Sequence, residues 1–168
     1  MKKVLWVINY NSITDFVKAA VDLKVTDVAV RSDNDVQKAI DAFGEKGIGV
    51  YSWRWPSANR DPAMKEAAKI VGLFGKGLKG YYVDPEGAPG KPYDWDQKGL
   101  EKLAEEFCKT VKAAATNGQQ LGVTSHYRAH KVFPRLPWAS FFKYADVLLP
   151  QSYWRVQGGV IGHGIPKD

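Results

Sequence analysis

The chain has 168 residues, of which 45% are hydrophobic and 25% charged, and it contains a single cysteine. This composition predicts one globular domain with a substantial core, and it excludes both an internal disulfide framework and a cysteine-rich zinc module. The net charge of +6 favours attraction to polyanions, but the basic residues are scattered and no nucleic-acid-binding motif is present, so no nucleic-acid partner is predicted.

Short runs rich in Val, Ile and Tyr alternate along the chain with amphipathic stretches. Cys108 lies on the apolar stripe of the last predicted helix, which predicts a buried thiol. Asp61-Pro62 is expected to begin the third helix, and Asp96 is expected to cap the fourth. The predicted strands are residues 4–8, 27–31, 48–52, 80–84, 121–125 and 146–150, and the predicted helices are 13–21, 36–43, 64–74 and 100–111.

Regular alternation of strands and helices predicts an α/β fold with a parallel sheet. Two layouts compete, a TIM-type (β/α) barrel and an open parallel sheet. A complete barrel needs eight units and about 250 residues, whereas six strands are visible here. We therefore expect a single (β/α) domain over residues 1–168, either an incomplete barrel or a barrel truncated after the sixth strand. Exposed strand edges in such a barrel would promote self-association.

Aromatic, amide and acidic side chains follow the predicted strands at their carboxyl ends, where ligands bind in either layout. The amino ends carry no comparable set, and Trp6, inside the first strand, is expected in the core. Asp84 and Glu86 follow the fourth strand and are the candidate catalytic pair. The candidates for substrate binding are Asn9, Tyr51, Trp53, Trp55, His126, Tyr127, Gln151, Tyr153 and Trp154.

The centre of this rim is the segment Asp84-Pro85-Glu86-Gly87. Proline ends the strand, and side chains two residues apart in an extended chain share a face, so both carboxylates should enter the cleft. Two close carboxylates cannot both ionise cheaply. A protonated Glu86 beside an ionised Asp84 is the arrangement that acid catalysis of glycosidic cleavage requires. Read alone, the segment could equally be a polar turn, whereas the aromatic rim favours a sugar site.

Neither a metal nor a nucleotide cofactor is predicted. His126 and His130 are spaced like two ligands on one helical turn, but they lie in a loop without an HExxH motif. A metal-dependent hydrolase using Asp84, Glu86 and His126 is kept as a minor alternative. Asn9-Tyr10-Asn11 follows the first strand, where a nucleotide site would have a glycine-rich loop.

The sequence GYYVDPEG at residues 80–87 resembles the fourth-strand DxE signature of barrel glycosidases that act on N-acetylated sugars. It is most similar to the family 25 glycoside hydrolases (muramidase-type lysozymes) and more distantly to the family 18 chitinases, with a similar order of elements over residues 48–154. The resemblance implies that Glu86 is the general acid/base, that Asp84 orients an N-acetyl group or stabilises positive charge, and that Tyr153 lines the sugar subsite. The muramidases have an aspartate where this chain has Asn9, and the last two strands of their barrel are missing here.

Two functions remain open at this stage. The first is a glycoside hydrolase that cleaves an amino-sugar polymer such as peptidoglycan or chitin, and the second is a non-catalytic carbohydrate-binding or scaffold module on a degenerate barrel. The apolar run after Met1-Lys2-Lys3 is too short for a signal peptide, and no stretch reaches the ~18 apolar residues of a membrane span. A soluble protein without a membrane partner is expected. Its compartment stays open, because a cytosolic, a phage-encoded and an excised protein all fit these features.

Overall fold

The computed structural model describes residues 2–152, in which strands and helices alternate. The predicted strands and helices all form, with boundaries that differ by a few residues. No helix of residues 2–152 has both the length and the apolar character needed to cross a membrane. The elements are β1 (Val4–Val7), α1 (Ile13–Asp22), β2 (Asp27–Arg31), α2 (Val36–Gly44), β3 (Gly49–Arg54), α3 (Arg60–Phe74), β4 (Gly80–Val83), α4 (Glu101–Ala114), β5 (Gln120–His126), a 3-10 turn (Ala129–Lys131), α5 (Trp138–Phe142) and β6 (Val147–Gln151).

The strands form one sheet in the order β1-β2-β3-β4-β5-β6, and every neighbouring pair is parallel. A doubly wound sheet reverses its strand order at a switch point, whereas a barrel adds each new strand beside the previous one. The sequential order therefore decides between the two predicted layouts. The fold is an incomplete TIM-type barrel with six strands among the described residues, and β1 and β6 are its two edges.

The outer face of the sheet packs on the helices and forms the larger of two cores. Its strand residues include Val30, Tyr81 and Val123, and Phe16 of α1 meets Phe43 of α2 edge to face at 4.8 Å. Each such buried side chain stabilises the fold by about 1.5–3 kcal/mol. Helices cover the outer face, so the inner face is the side of the sheet that remains accessible to a ligand.

Aromatic rings cover the inner face. Tyr51 stacks on Tyr82 with ring centroids 5.0 Å apart, and Tyr82 stacks on Trp6 at 5.2 Å. The lack of a side chain at Gly122 leaves space for the ring of Tyr82, because a Cβ at this position would lie 2.5 Å from Cδ1 of Tyr82. The rings therefore lie against the sheet and form the floor of a concave surface.

The thiol prediction is confirmed, because Cys108 is buried on α4 and burial raises its pKa to about 12. Both predictions of helix starts were wrong. The N-cap of α3 is Asn59, so Asp61 and Pro62 lie within the first turn, where proline is tolerated because the N–H groups have no helical partner. Asp96 does not cap α4: its carboxylate accepts hydrogen bonds from the backbone N–H groups of Arg135 and Leu136, at 2.6 and 3.0 Å.

Candidate active site

The two carboxylates stand at the carboxyl end of β4, between its two neighbouring strands. The strand ends at Val83, as Pro85 predicted. The backbone N–H of Asp84 still donates to the carbonyl of Arg54 on β3 at 2.9 Å, and Ser125 Oγ on β5 donates to the carbonyl of Pro85 at 2.7 Å. Both sides of the Asp84-Pro85-Glu86 segment are therefore fixed to the sheet.

Gln151 joins the two carboxylates. Its Nε2 donates to Asp84 Oδ1 at 2.8 Å and to Glu86 Oε1 at 3.0 Å. One NH2 group has two hydrogens, so it can serve both acceptors at once. The structure therefore brings Asp84 and Glu86 together, side by side, as the alternation of an extended chain predicted.

The pair differs in burial, and this decides where a proton resides. Asp84 is only 4% exposed. Burial, helped by the negative charge of Glu86, raises the pKa of Asp84 to about 8, although the nearby indole N–H of Trp55 and the hydrogen bond from Gln151 oppose this shift. The raised pKa favours a protonated Asp84 in the unliganded chain, because Asp84 is the carboxyl that the protein covers. The expectation of a protonated Glu86 beside an ionised Asp84 concerns the pair with a sugar bound, and it stays a prediction.

The indole of Trp55 adds a polar group to the site. Its Nε1 is buried and has no hydrogen-bond partner of good geometry among the described residues, but it faces Asp84 closely enough to lower the pKa of that carboxyl. Buried donors are rarely left unpaired in proteins. An acceptor oxygen of a bound ligand would complete this hydrogen bond.

A hollow of about 590 Å³ opens above the aromatic floor beside Asp84. We call it the inner hollow. Most of its wall is apolar, and the polar groups are concentrated at one side, an arrangement typical of ligand sites. Its lining residues are Trp6, Ile8, Trp53, Trp55, Asp84, Thr124, Leu148, Leu149, Pro150, Gln151 and Ser152.

The hollow contains residues that the sequence did not indicate. Trp6 was expected in the core, but it is 39% exposed and lines the inner hollow. The outer neighbours Leu5 and Val7 are equally apolar, and strands of a parallel sheet have apolar side chains on both faces, so periodicity could not show which face Trp6 occupies. Ile8 and Thr124 were missed for the same reason.

The other predicted binding residues are spread more widely. Trp53 and Trp55 share a face as expected, with ring centroids 5.2 Å apart. Tyr51 lies deeper, on the aromatic floor, where Lys2 donates to its hydroxyl. Asn9 is exposed, and its Oδ1 accepts a hydrogen bond from Arg31 at 3.0 Å.

His126 and Tyr127 lie at the end of β5, with their rings stacked at 5.0 Å. Neither residue is in the wall of the inner hollow. Residues 2–152 contain no group of three His, Cys, Asp or Glu side chains arranged to hold a metal ion. The predicted binding residues Tyr153 and Trp154 lie outside the described residues.

Comparison with known proteins finds similar structures but no similar sequences. No protein-family model matches the sequence, and no curated protein sequence matches it. The structure is similar to the spore cortex-lytic enzyme SleL of Bacillus cereus, with a TM-score of 0.65 and 12% identity over 94% of this chain. It is also similar to the chitinase domain of the spore coat protein CotE of Clostridium difficile, with a TM-score of 0.60 and 10% identity over 92% of the chain.

A third similar structure is a deoxyribose phosphate aldolase from Aeropyrum pernix, with a TM-score of 0.58 and 15% identity over 88% of this chain. The chain corresponds to 43%, 50% and 60% of the lengths of these three proteins. Identities this low support a shared (β/α)-barrel fold and no more, because one fold hosts many activities.

Proposed function

We propose that this chain is a glycoside hydrolase-like domain that acts on an N-acetylated amino-sugar polymer of the peptidoglycan or chitin type. The observation that carries the proposal is the pair of carboxylates joined by Gln151: Asp84 and Gln151 line the inner hollow, and Glu86, outside its wall, is tied to them by the amide of Gln151. Paired carboxyl groups at the scissile bond are the common machinery of glycosidases. Tryptophan and tyrosine rings suit the faces of sugar rings, because they combine an apolar face with a polar edge.

In this proposal Glu86 donates a proton to the glycosidic oxygen as the bond from that oxygen to the anomeric carbon breaks. Asp84 supports the positive charge that develops on the sugar, or holds the N-acetyl group. In the free chain the raised pKa of Asp84 favours its protonated form. Catalysis by this route requires the shared proton on Glu86 once the glycosidic oxygen is bound, because the proton of a coupled pair belongs to both carboxyl groups.

The lining of the inner hollow favours this activity over that of the aldolase with the same fold. Its described residues supply carboxylate, amide, hydroxyl and aromatic groups but no lysine or arginine. An aldolase that forms a Schiff base requires a lysine amine beside its substrate. Resemblance of the DxE segment to muramidases and chitinases points in the same direction.

The proposal is tested by Glu86→Gln, assayed as release of reducing ends from peptidoglycan and from chitin oligosaccharides. Removing a general acid should lower turnover about 10²- to 10⁴-fold. The matched control is Glu45→Gln, because Glu45 is exposed after α2, and this variant should behave as the unmodified chain does. Undiminished activity of Glu86→Gln would contradict the assignment.

A non-catalytic carbohydrate-binding module is the second candidate. It is favoured by Asn9, which stands where the resembling muramidases have an aspartate and which is held by Arg31 rather than turned to the carboxylate pair. The same assay separates the two candidates. Binding of the oligosaccharide by the unmodified chain without any release of reducing ends would favour the second.

A further inference from the structure

A second hollow of about 590 Å³ adjoins the inner one. It lies outside the barrel, between the end of β3, helix α3 and the loop that follows β4, and we call it the outer hollow. Trp55 belongs to the walls of both hollows. A molecule lying across the edge of this indole would therefore reach from the carboxylate pair into the outer hollow.

Three basic side chains surround the outer hollow: Arg54 at the end of β3, and Lys65 and Lys69 on α3. Lys69 Nζ donates to the backbone carbonyl of Ser32, a bond that leaves its charge unpaired. Lys65 has no ion pair or hydrogen bond within residues 2–152. Neither lysine therefore forms an ion pair among residues 2–152.

The acidic residues of the outer hollow are engaged elsewhere. Asp33 accepts from Arg31 at 2.7 Å and pairs with Arg54 at 3.4 Å, and these partners keep its pKa low. Glu66 accepts a hydrogen bond from the buried hydroxyl of Tyr81 at 3.2 Å. Neither carboxylate forms an ion pair with a lysine, and three basic side chains face two acidic ones, so the hollow keeps a net positive charge.

The spacing of the two lysines also favours an anion. They are four residues apart on α3, and like charges at this spacing repel and destabilise a helix. A carboxylate between Lys65 and Lys69 would relieve the part of their repulsion that Glu66, three residues before Lys69, does not offset.

We propose that the outer hollow is a subsite for a carboxylate carried by the glycan, such as the lactyl or peptide substituent of a muramic acid unit. This inference rests on the proposed function, because the sugar in the inner hollow is what brings the substituent across Trp55. It makes the preferred substrate an anionic amino-sugar polymer rather than neutral chitin. The net charge of +6 of the whole chain acts in the same direction.

Calorimetric binding experiments test this with two glycans of equal length, an N-acetylglucosamine tetramer and a tetrasaccharide whose muramic acid units carry short peptides. The unmodified chain should bind the anionic glycan more tightly. In the double variant Lys65→Gln, Lys69→Gln, its Kd should rise roughly 3- to 30-fold, while the Kd of the neutral tetramer stays unchanged. The gap between the glycans should narrow at high salt.

The matched control is Lys109→Gln, which removes one charge from an exposed position of α4 and should leave both Kd values unchanged. Equal weakening of both glycans by the double variant, or weakening of neither, would overturn the carboxylate subsite and leave the proposed function standing. Binding of a free dipeptide as tight as that of the anionic glycan would overturn the link across Trp55. Failure of the unmodified chain to bind either glycan would overturn both proposals.

Discussion

Asp84 and Glu86 are separated by one residue, yet their carboxyl groups differ in burial. Asp84 is buried, whereas Glu86 is half-buried. A buried carboxyl resists ionisation because the protein replaces the water that would stabilise its charge. Burial of this carboxyl therefore lowers the free energy of unfolding of the protein. A carboxyl pair whose pKa is shifted in this way is typical of a functional site.

Asp84→Asn should therefore stabilise the fold. The pKa of Asp84 is raised to about 8 in the folded chain, from 3.8, so between these values the folded state binds more protons than the unfolded state does. Stability then falls as pH rises through this range. Urea unfolding should show a gain for Asp84→Asn of about 1–3 kcal/mol at pH 8 and little gain near pH 4.

The comparison for this experiment is Asp41→Asn, because Asp41 is exposed on α2. Its effect should be small at every pH. If the gain from Asp84→Asn did not grow between pH 4 and pH 8, the raised pKa of Asp84 would be refuted.

Gln151→Leu tests the amide that joins the pair. The hydrogen bond from Gln151 lowers the pKa of Asp84, so its removal should raise that pKa, and the alkaline limb of any activity should move to higher pH. The carboxyl carbon signal of Asp84, followed by NMR titration, reports this shift directly. Gln37→Leu on the outer helix α2 serves as the control, and identical titrations of the two variants would contradict the role of Gln151.

At the scale of elements, the loop between β4 and α4 holds Glu86 in place. The backbone carbonyl of Glu86 accepts from the N–H of Trp95 at 2.8 Å. Trp95 is fully buried, packs edge to face on Phe141, and donates its indole N–H to the carbonyl of Pro56 at 2.8 Å. The loop is therefore anchored in the core, which gives the carboxylate a fixed position.

Gly87→Ala should disturb this loop. A Cβ at Gly87 would lie 2.6 Å from Cδ1 of Phe133 and 2.8 Å from Cβ of Asp96, and overpacking of this kind destabilises proteins by about 1–3 kcal/mol. Gly72→Ala is the matched control, because a Cβ at Gly72 meets no atom within 4 Å and alanine favours a helix interior by about 0.5–1 kcal/mol. Thermal unfolding should move in opposite directions for the two variants, and equal shifts would contradict the contact.

The sequence predicted the elements well because each of the six strands and four longer helices has its own local periodicity. It did not predict α5 (Trp138–Phe142), because five residues are too few for a helical period to emerge. The start of α3 was misplaced because Pro62 is compatible with more than one position in a first turn. These errors concern ends and short segments, where local signals are weakest.

At the scale of the whole molecule, the positions of Asp84 and Glu86 followed from the strand-end rule, but their partners did not. Gln151 is 65 residues from Glu86 in the chain, and only the order of strands, which a single sequence does not reveal, places β6 near enough to contact both acids. Trp6 was misplaced for a related reason: its side chain faces the hollow formed by distant strands. Residues that reach the site through contacts between distant strands therefore could not be predicted from local sequence patterns.

The central claim is that an N-acetylated sugar binds in the inner hollow against the carboxylate pair. A crystal of the Glu86→Gln variant soaked with an N-acetylglucosamine oligomer tests it most directly. We expect the oligomer to lie along the aromatic wall formed by Trp6, Trp53 and Trp55, with a glycosidic oxygen within hydrogen-bonding distance of the side chain at position 86. An oligomer bound elsewhere on the surface, with the inner hollow empty, would contradict the account.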